Sequence, residues 1–225
     1  MNELYDIKSV GYYSGVRQSL IDLMPPGPNK VLELGCAKGY TLLAAREAGK
    51  AAEIVGIDIL PREQSHERLD HYLRNESDNI AIDYPPGYFD VILCADVLEH
   101  FVDPWHSVRQ LHHYIKPGGV IIASIPNIRF YKTTLGILLE GDFRYDDDGG
   151  ILDKTHLRFF CKRNMAELFT GAGFQIAGFH CKMSFLYRIL TALSLGLSEG
   201  LWVRQYTIVA RKPETGPKEH PGTHG

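Results

Sequence analysis

Residues 31–39 read Val-Leu-Glu-Leu-Gly-Cys-Ala-Lys-Gly, and residues 54–58 read Ile-Val-Gly-Ile-Asp. The first is a short apolar run that breaks into a turn of small residues. The second is another apolar run, closed by a carboxylate 23 residues after Gly35. Near-continuous apolar runs of this length are how strands covered on both faces are written. A glycine turn and an acid at the same edge of a parallel sheet make a crevice for a nucleoside, with the acid placed to hold ribose hydroxyls.

Outward from this pair, apolar runs recur at 89–95 and 119–125, and helical stretches are expected at 39–48, 61–69 and 104–115. Strands alternating with helices at this spacing specify an α/β, doubly wound, mostly parallel sheet with helices on both faces. A short strand near 71–76 is required by that topology, although the sequence marks it weakly. Residues 11–23 read as a leading helix, stopped by Met24-Pro25-Pro26-Gly27-Pro28, and Pro117-Gly118-Gly119 reads as a helix stop before the next strand. Beyond Asn127 the pattern changes. An apolar helix is expected at about 128–139, a Gly/Asp-rich loop at 140–150, a helix at 162–171 ended by Gly171-Ala172-Gly173, and strands near 174–181 and 202–211 around a helix at 185–196.

The chain has 225 residues, enough for one domain with a full core. Residues 1–212 are read as that domain, with 1–28 a helical cap, 127–160 an insertion on the acceptor side and 213–225 a disordered Pro/Gly-rich tail. Hydrophobic residues make up 44% and charged residues 23%, ordinary for a soluble globular protein. A net charge of −3 without a basic run gives no electrostatic basis for a nucleic-acid partner. The four cysteines, Cys36, Cys94, Cys161 and Cys181, share no C-x-x-C spacing, so buried free thiols are expected rather than disulfides or a zinc site. The opening residues Met1-Asn2-Glu3-Leu4-Tyr5-Asp6 carry no basic or apolar signal region, and no run approaches the ~18 apolar residues of a membrane span. A cytoplasmic protein with no membrane insertion is the expectation.

Glu33, Gly35 and Gly39 form the first chemical constellation. Glycines admit a ligand close to the backbone, and the helix that follows offers N–H groups to an anion. Cys36-Ala37-Lys38 separates the glycines, so the spacing is not G-x-G-x-x-G, and a nicotinamide cofactor is disfavoured. Alone, the turn is equally a plain strand-to-helix connection, and Asp58 alone would be a helix cap; together they favour ribose binding. Asp78 and Asn79, in Ser77-Asp78-Asn79-Ile80, could accept from an exocyclic amine or be a solvated acidic loop. His100 closes the strand run Phe89-Asp90-Val91-Ile92-Leu93-Cys94-Ala95-Asp96-Val97-Leu98-Glu99-His100 and could act as a general base there. A backbone-bonded histidine is the competing reading. The run Asp146-Asp147-Asp148 reads as solvated chain, and no metal site is expected. The helix at 185–196 could meet a lipid-linked substrate or a partner subunit, and a homodimer is compatible with it, but such a helix more often covers the sheet.

With these motifs in order, the sequence resembles the class I S-adenosylmethionine-dependent methyltransferases over about residues 10–212. The segments VLELGCAKG, SDNI, PPGYFDVILCADVLEH and IKPGGVIIASIPN carry the resemblance, and LDKTHLRFF is similar to a bacterial small-molecule and sugar branch. The resemblance implies a seven-stranded sheet, S-adenosyl-L-methionine as donor and S-adenosyl-L-homocysteine as product, with a small-molecule or saccharide acceptor. It implies that Glu33, Gly35, Cys36 and Gly39 form the cofactor turn and that Asp58 holds the ribose. Ile59 would pack on the adenine, Asp78 and Asn79 would read its amine and ring, and Cys94 and Ala95 would line the methionyl end. His156 lies in the acceptor-side region as a second candidate base, and Arg158 there would bind a substrate anion or bridge the loop to the sheet. Ala37 stands where the family usually has a glycine, a change tolerated if the position needs no positive φ. A nicotinamide-dependent oxidoreductase and a non-catalytic cofactor-binding module are the alternative readings.

Overall fold

The computed structural model describes residues 15–147 and 149–214. In chain order its elements are α1 (Gln18–Leu23), β1 (Asn29–Leu34), α2 (Tyr40–Glu47), β2 (Ala51–Asp58), β3 (His71–Arg74), β4 (Phe89–Ala95), α3 (Pro104–Tyr114), β5 (Ile115–Pro126), α4 (Tyr131–Leu135), α5 (Lys162–Thr170), β6 (Gln175–His180), α6 (Phe185–Leu193), α7 (Glu199–Trp202) and β7 (Gln205–Arg211). The seven strands form one sheet in the order β3-β2-β1-β4-β5-β7-β6. β3 to β5 run parallel to one another, and β7 lies antiparallel between β5 and β6. The order reverses direction between β1 and β4, and in open α/β sheets ligands bind at the carboxyl ends of the strands beside such a switch point.

Alternation along the strands divides the core into two layers. Leu32, Ile57, Ile92 and Ile121 face the side covered by α3 and α5, where Val108, Leu111, Met165 and Phe169 pack. Val31, Ile54, Val91 and Ile122 face the other side, under Leu20 and Ile21 of α1 and Leu42 and Leu43 of α2. Each such side chain contributes about 1.5–3 kcal/mol when fully buried. α3 begins with Asp103 accepting the His106 N–H at 2.9 Å, and Pro104 occupies its first position, where a missing N–H costs nothing.

Four local expectations change. The stretch 61–69 is no α-helix but a three-residue 3₁₀ turn at Arg62–Gln64. Its one large apolar side chain besides Pro61 is Leu69, at the end, so a helix here would have no stripe to bury. Pro117-Gly118-Gly119 does not end a helix; it lies inside β5, where pairing passes from Phe89–Ile115 to Val91–Val120 across an irregularity. The helix at 128–139 is shorter, α4 passing into a π-helical turn at Gly136–Glu140. The leading helix begins only at Gln18, residues 15–17 being non-helical, while residues 11–14 and the tail beyond 214 lie outside the described residues.

All four cysteines are free; Cys36 and Cys94 are buried as expected, but Cys161 is partly buried and Cys181 exposed. α6 does not cover the sheet, since none of its residues is buried. It is held by Tyr187, stacked on Trp202 with ring centroids 5.2 Å apart. Among the described residues no helix is long and apolar enough to cross a membrane.

Candidate active site

β1 ends at Leu34, and the chain then turns through three left-handed residues: Gly35 at φ +72°, Ala37 at +48° and Gly39 at +83°. Two of the turn's amides are tied to the neighbouring strand, Gly35 and Cys36 both donating to Ile57 O, at 2.8 and 3.1 Å. A side chain at Gly39 would be strained by its φ of +83° and would push on Leu69, whose methyls stand 2.8 Å from where a Cβ would lie. Ala37, by contrast, does occupy the left-handed region. The condition under which alanine would be harmless at that position is therefore not met.

Asp58 ends β2 with its carboxylate turned back on this loop. Oδ2 accepts the Ala37 N–H at 2.6 Å and Oδ1 accepts the Leu60 N–H at 3.0 Å. Burial raises its pKa, and the donations from Leu60, Ala37 and Ile59 oppose the rise by favouring the carboxylate. Glu33 is buried, and its Oε2 has no hydrogen-bond partner. Burial pushes the Glu33 carboxyl well above its ordinary range, Asp58 adds to this, and Arg17 opposes it.

These groups line a cavity of about 270 Å³ at the carboxyl edge of the sheet. Of the sequence candidates, Glu33, Gly35, Cys36, Asp58, Ile59, Asp78, Ala95 and His100 line it. Gly39, Asn79, Cys94, His156 and Arg158 lie outside its lining. Cys94 is fully buried in the core. The Asn79 N–H is donated to Ser77 Oγ at 3.1 Å. Asp78 Oδ2 accepts the Asp103 N–H at 2.7 Å, which ties the loop after β3 to the start of α3.

The chain after β4 supplies another part of the lining, with Asp96, Val97, His100 and Phe101. Asp96 takes φ +51° and is clamped: Oδ1 accepts from Ser124 Oγ at 3.0 Å and from Gln205, and Oδ2 pairs with Arg17 at 2.9 Å. A 3₁₀ turn, Leu98–His100, follows. His100 Nδ1 lies 3.0 Å from Thr155 O, and His156 Nδ1 lies 3.0 Å from Ile151 O. A carbonyl can only accept, so both Nδ1 atoms carry protons. The two imidazoles meet edge to face, 4.8 Å between centroids. The loop bearing His156 is fastened here through Glu99 O, which accepts from the N–H groups of Leu157 at 2.8 Å and Arg158 at 3.0 Å. Arg158 itself spends its guanidinium on Val102 O, the Nε bond being 3.0 Å. In the acidic loop, Asp147 pairs with Lys154 at 2.5 Å.

Sequence reading passed over Arg17, Asp96 and Glu99. Asp96 and Glu99 were within the quoted strand run, but nothing in spacing alone separates a clamped acid from a solvated one. Arg17 reaches the site only because α1 packs beside α2, its backbone N–H donating to Thr41 Oγ1 at 3.1 Å.

Residues 12–177 match a family model described as a methyltransferase domain, well over half of the chain. The chain belongs to this methyltransferase family. Among solved structures it is similar to an S-adenosylmethionine-dependent methyltransferase from Mesorhizobium loti, at TM-score 0.61 and 18% identity, covering 87% of this chain and 96% of that one. A second, from Archaeoglobus fulgidus, has TM-score 0.64 at 16% identity, with 89% and 96% covered. These likenesses concern the fold. Among curated proteins it is 35% identical over 109 residues to a ubiquinone biosynthesis O-methyltransferase of Pseudomonas aeruginosa, and 36% identical over 110 residues to one of Thiobacillus denitrificans. The matches cover 44% of this chain and 44% of the first relative, and 46% and 47% for the second, so the chain spans about half the length of either.

S-adenosylmethionine is the cofactor that goes with this methyltransferase family, and the cavity fits it. Its sulfonium and ammonium charges would meet a lining that holds Glu33, Asp58 and Asp96 against Arg17 as the facing cation. The unpartnered Glu33 Oε2 is a buried acceptor waiting for a donor.

Proposed function

We propose that this methyltransferase transfers the methyl group of S-adenosylmethionine to a hydroxyl of a sugar or another small hydroxylated metabolite. The observation that carries the reading is one cavity whose lining includes both the left-handed turn with Asp58 and His100. The names of the partial relatives, both O-methyltransferases, support a hydroxyl acceptor.

In this reading Glu33, Gly35, Cys36 and Gly39 make the cofactor turn, Asp58 takes the ribose hydroxyls, and Ile59 with the 75–79 loop borders the adenine. The cofactor supplies an electrophilic methyl group on sulfur, which the acceptor oxygen takes while the electron pair of the broken carbon–sulfur bond leaves on S-adenosylhomocysteine. The protein's share is alignment and exclusion of water, worth up to roughly 7–11 kcal/mol of barrier where geometry is ideal. A base that takes the hydroxyl proton contributes about 10²- to 10⁴-fold more. His100 is the better placed of the two candidates because it lines the cavity; His156 backs it through the ring contact. Residues 1–212 act as one domain, with 127–160 closing the acceptor side and Arg158 holding that segment down.

Calorimetry with S-adenosylmethionine and with NAD, followed by transfer of labelled methyl across a panel of sugars and hydroxylated aromatics, tests the reading. Cofactor binding with label on a hydroxylated acceptor supports it. Binding with no transfer to any acceptor would leave a non-catalytic cofactor module, and NAD binding alone would sink the proposal.

A further inference from the structure

Glu99 is an anomaly in the core. Its side chain is 1% exposed, and neither carboxylate oxygen has a hydrogen-bond partner. A buried carboxylate without donors is costly, and proteins retain one when something else takes up its charge. Two imidazoles stand beside it. His156 Nε2 is 4.0 Å from Glu99 Oε1, and one ligand atom each from Glu99, His100 and His156 all lie within 4.8 Å of one another.

The histidines are also oriented as metal ligands are. Each gives its Nδ1–H to a backbone carbonyl, His100 to Thr155 O and His156 to Ile151 O. That bond fixes the tautomer, leaves Nε2 as the lone-pair nitrogen, and raises its basicity as a donor. The carbonyls belong to a braced loop, where Asp153 Oδ1 accepts from the Thr155 N–H at 2.8 Å and from Thr155 Oγ1 at 2.6 Å.

We infer that Glu99, His100 and His156 bind a divalent transition-metal cation beside the part of the cavity that His100 lines. Two nitrogens and one carboxylate suit zinc or cobalt rather than magnesium or calcium, which take oxygen ligands. Three protein ligands leave coordination positions open, and His100 lines the cavity, so the open side is available to an acceptor oxygen. The inference rests on the proposed reading of that part as the acceptor side. It recasts His100 from base to ligand, since a cation lowers the pKa of a hydroxyl bound to it and the proton can then pass to water.

The test is titration of metal-stripped full-length protein with Zn²⁺ and Co²⁺ by calorimetry, with the visible spectrum of the Co²⁺ form recorded. One equivalent should bind, and Glu99→Gln and His156→Asn should each weaken it at least tenfold. Circular dichroism and S-adenosylhomocysteine binding establish that each variant is folded, and His100→Asn, at a less buried position, serves if either is not. No binding by the parent protein, or binding unaffected by these substitutions, would overturn the inference. Methyl transfer that survives chelation while metal binding is lost would leave the ion site standing but remove it from the reaction. Metal binding without any methyl transfer would instead count against the enzymatic reading alone.

Discussion

The backbone amide of Ala37 donates to Asp58 Oδ2 at 2.6 Å, and to make that bond Ala37 sits at φ +48°. A carboxylate at the end of β2 is thus held by a residue in a conformation that a side chain resists. The left-handed region costs a non-glycine residue about 1–2 kcal/mol, and the hydrogen bond is among the interactions that offset it.

Replacing Ala37 by glycine removes that strain while loosening the unfolded chain by about 0.5–1 kcal/mol. Ala37→Gly should therefore stabilise the protein by roughly 0.5–1 kcal/mol, read as a higher urea midpoint with an unchanged slope. A lower midpoint would mean that the methyl group makes packing contacts that outweigh the strain.

Asp58→Ala removes the proposed ribose ligand and leaves the Ala37 and Leu60 amides without their acceptor. Hydrogen bonds to a charged group are worth about 1.5–3 kcal/mol, so S-adenosylhomocysteine affinity should fall at least roughly tenfold. Calorimetry decides it, with near-native circular dichroism as the control. Affinity equal to the parent's would place the ribose elsewhere.

Burial, then Asp58, raises the Glu33 carboxyl above its ordinary range, while Arg17 acts against the rise. Because the folded-state pKa is raised, the contribution is present below the unfolded value of about 4.3 and is lost as pH rises toward the folded value. In the absence of cofactor, the stability gap between Glu33→Gln and the parent should widen in the variant's favour as pH rises above about 4.3. Urea denaturation at a series of pH values measures this. A gap that does not change with pH would show that Glu33 titrates alike in both states.

The two histidines should separate kinetically. His100→Ala should lower kcat by about 10²-fold or more with cofactor affinity retained, whether it acts as base or as ligand. His156→Ala should also act on kcat more than on cofactor binding, through its contact with His100. A fully active His100 variant would remove that residue from the reaction.

The sheet was legible where strands are apolar on both faces, as at Val31 to Leu34 and Val91 to Ala95, since such runs have few other uses. The 3₁₀ turn at Arg62–Gln64 was not, because a helix was expected from the βαβ rhythm alone while the residues offered no apolar stripe. Gly35 and Asp58 could be found because their spacing is local to one strand-turn-helix-strand unit. Arg17, Asp96 and Glu99 could not, because their significance comes from partners such as Ser124, Gln205 and His156, 28, 109 and 57 positions away from the residues they meet. Ala37 was noticed as a departure, but only the backbone revealed its left-handed φ.

β7 has a consequence for how the molecule is made. Among the described strands it is last in sequence, yet it lies inside the sheet, and β6 has no other ladder partner. A chain emerging from the ribosome can assemble β1 to β5 and the turn at Gly35 early, while β6 must wait for Gln205–Arg211. Gln205 arrives with that strand and completes the clamp on Asp96. The turn at Gly35 with Asp58 can therefore take shape before β7 is made, whereas the clamp on Asp96 is completed only once Gln205 has emerged. A chain cut before residue 205 would keep the Ala37–Asp58 bond between the turn and β2 but would lack one of the contacts that hold Asp96 at φ +51°.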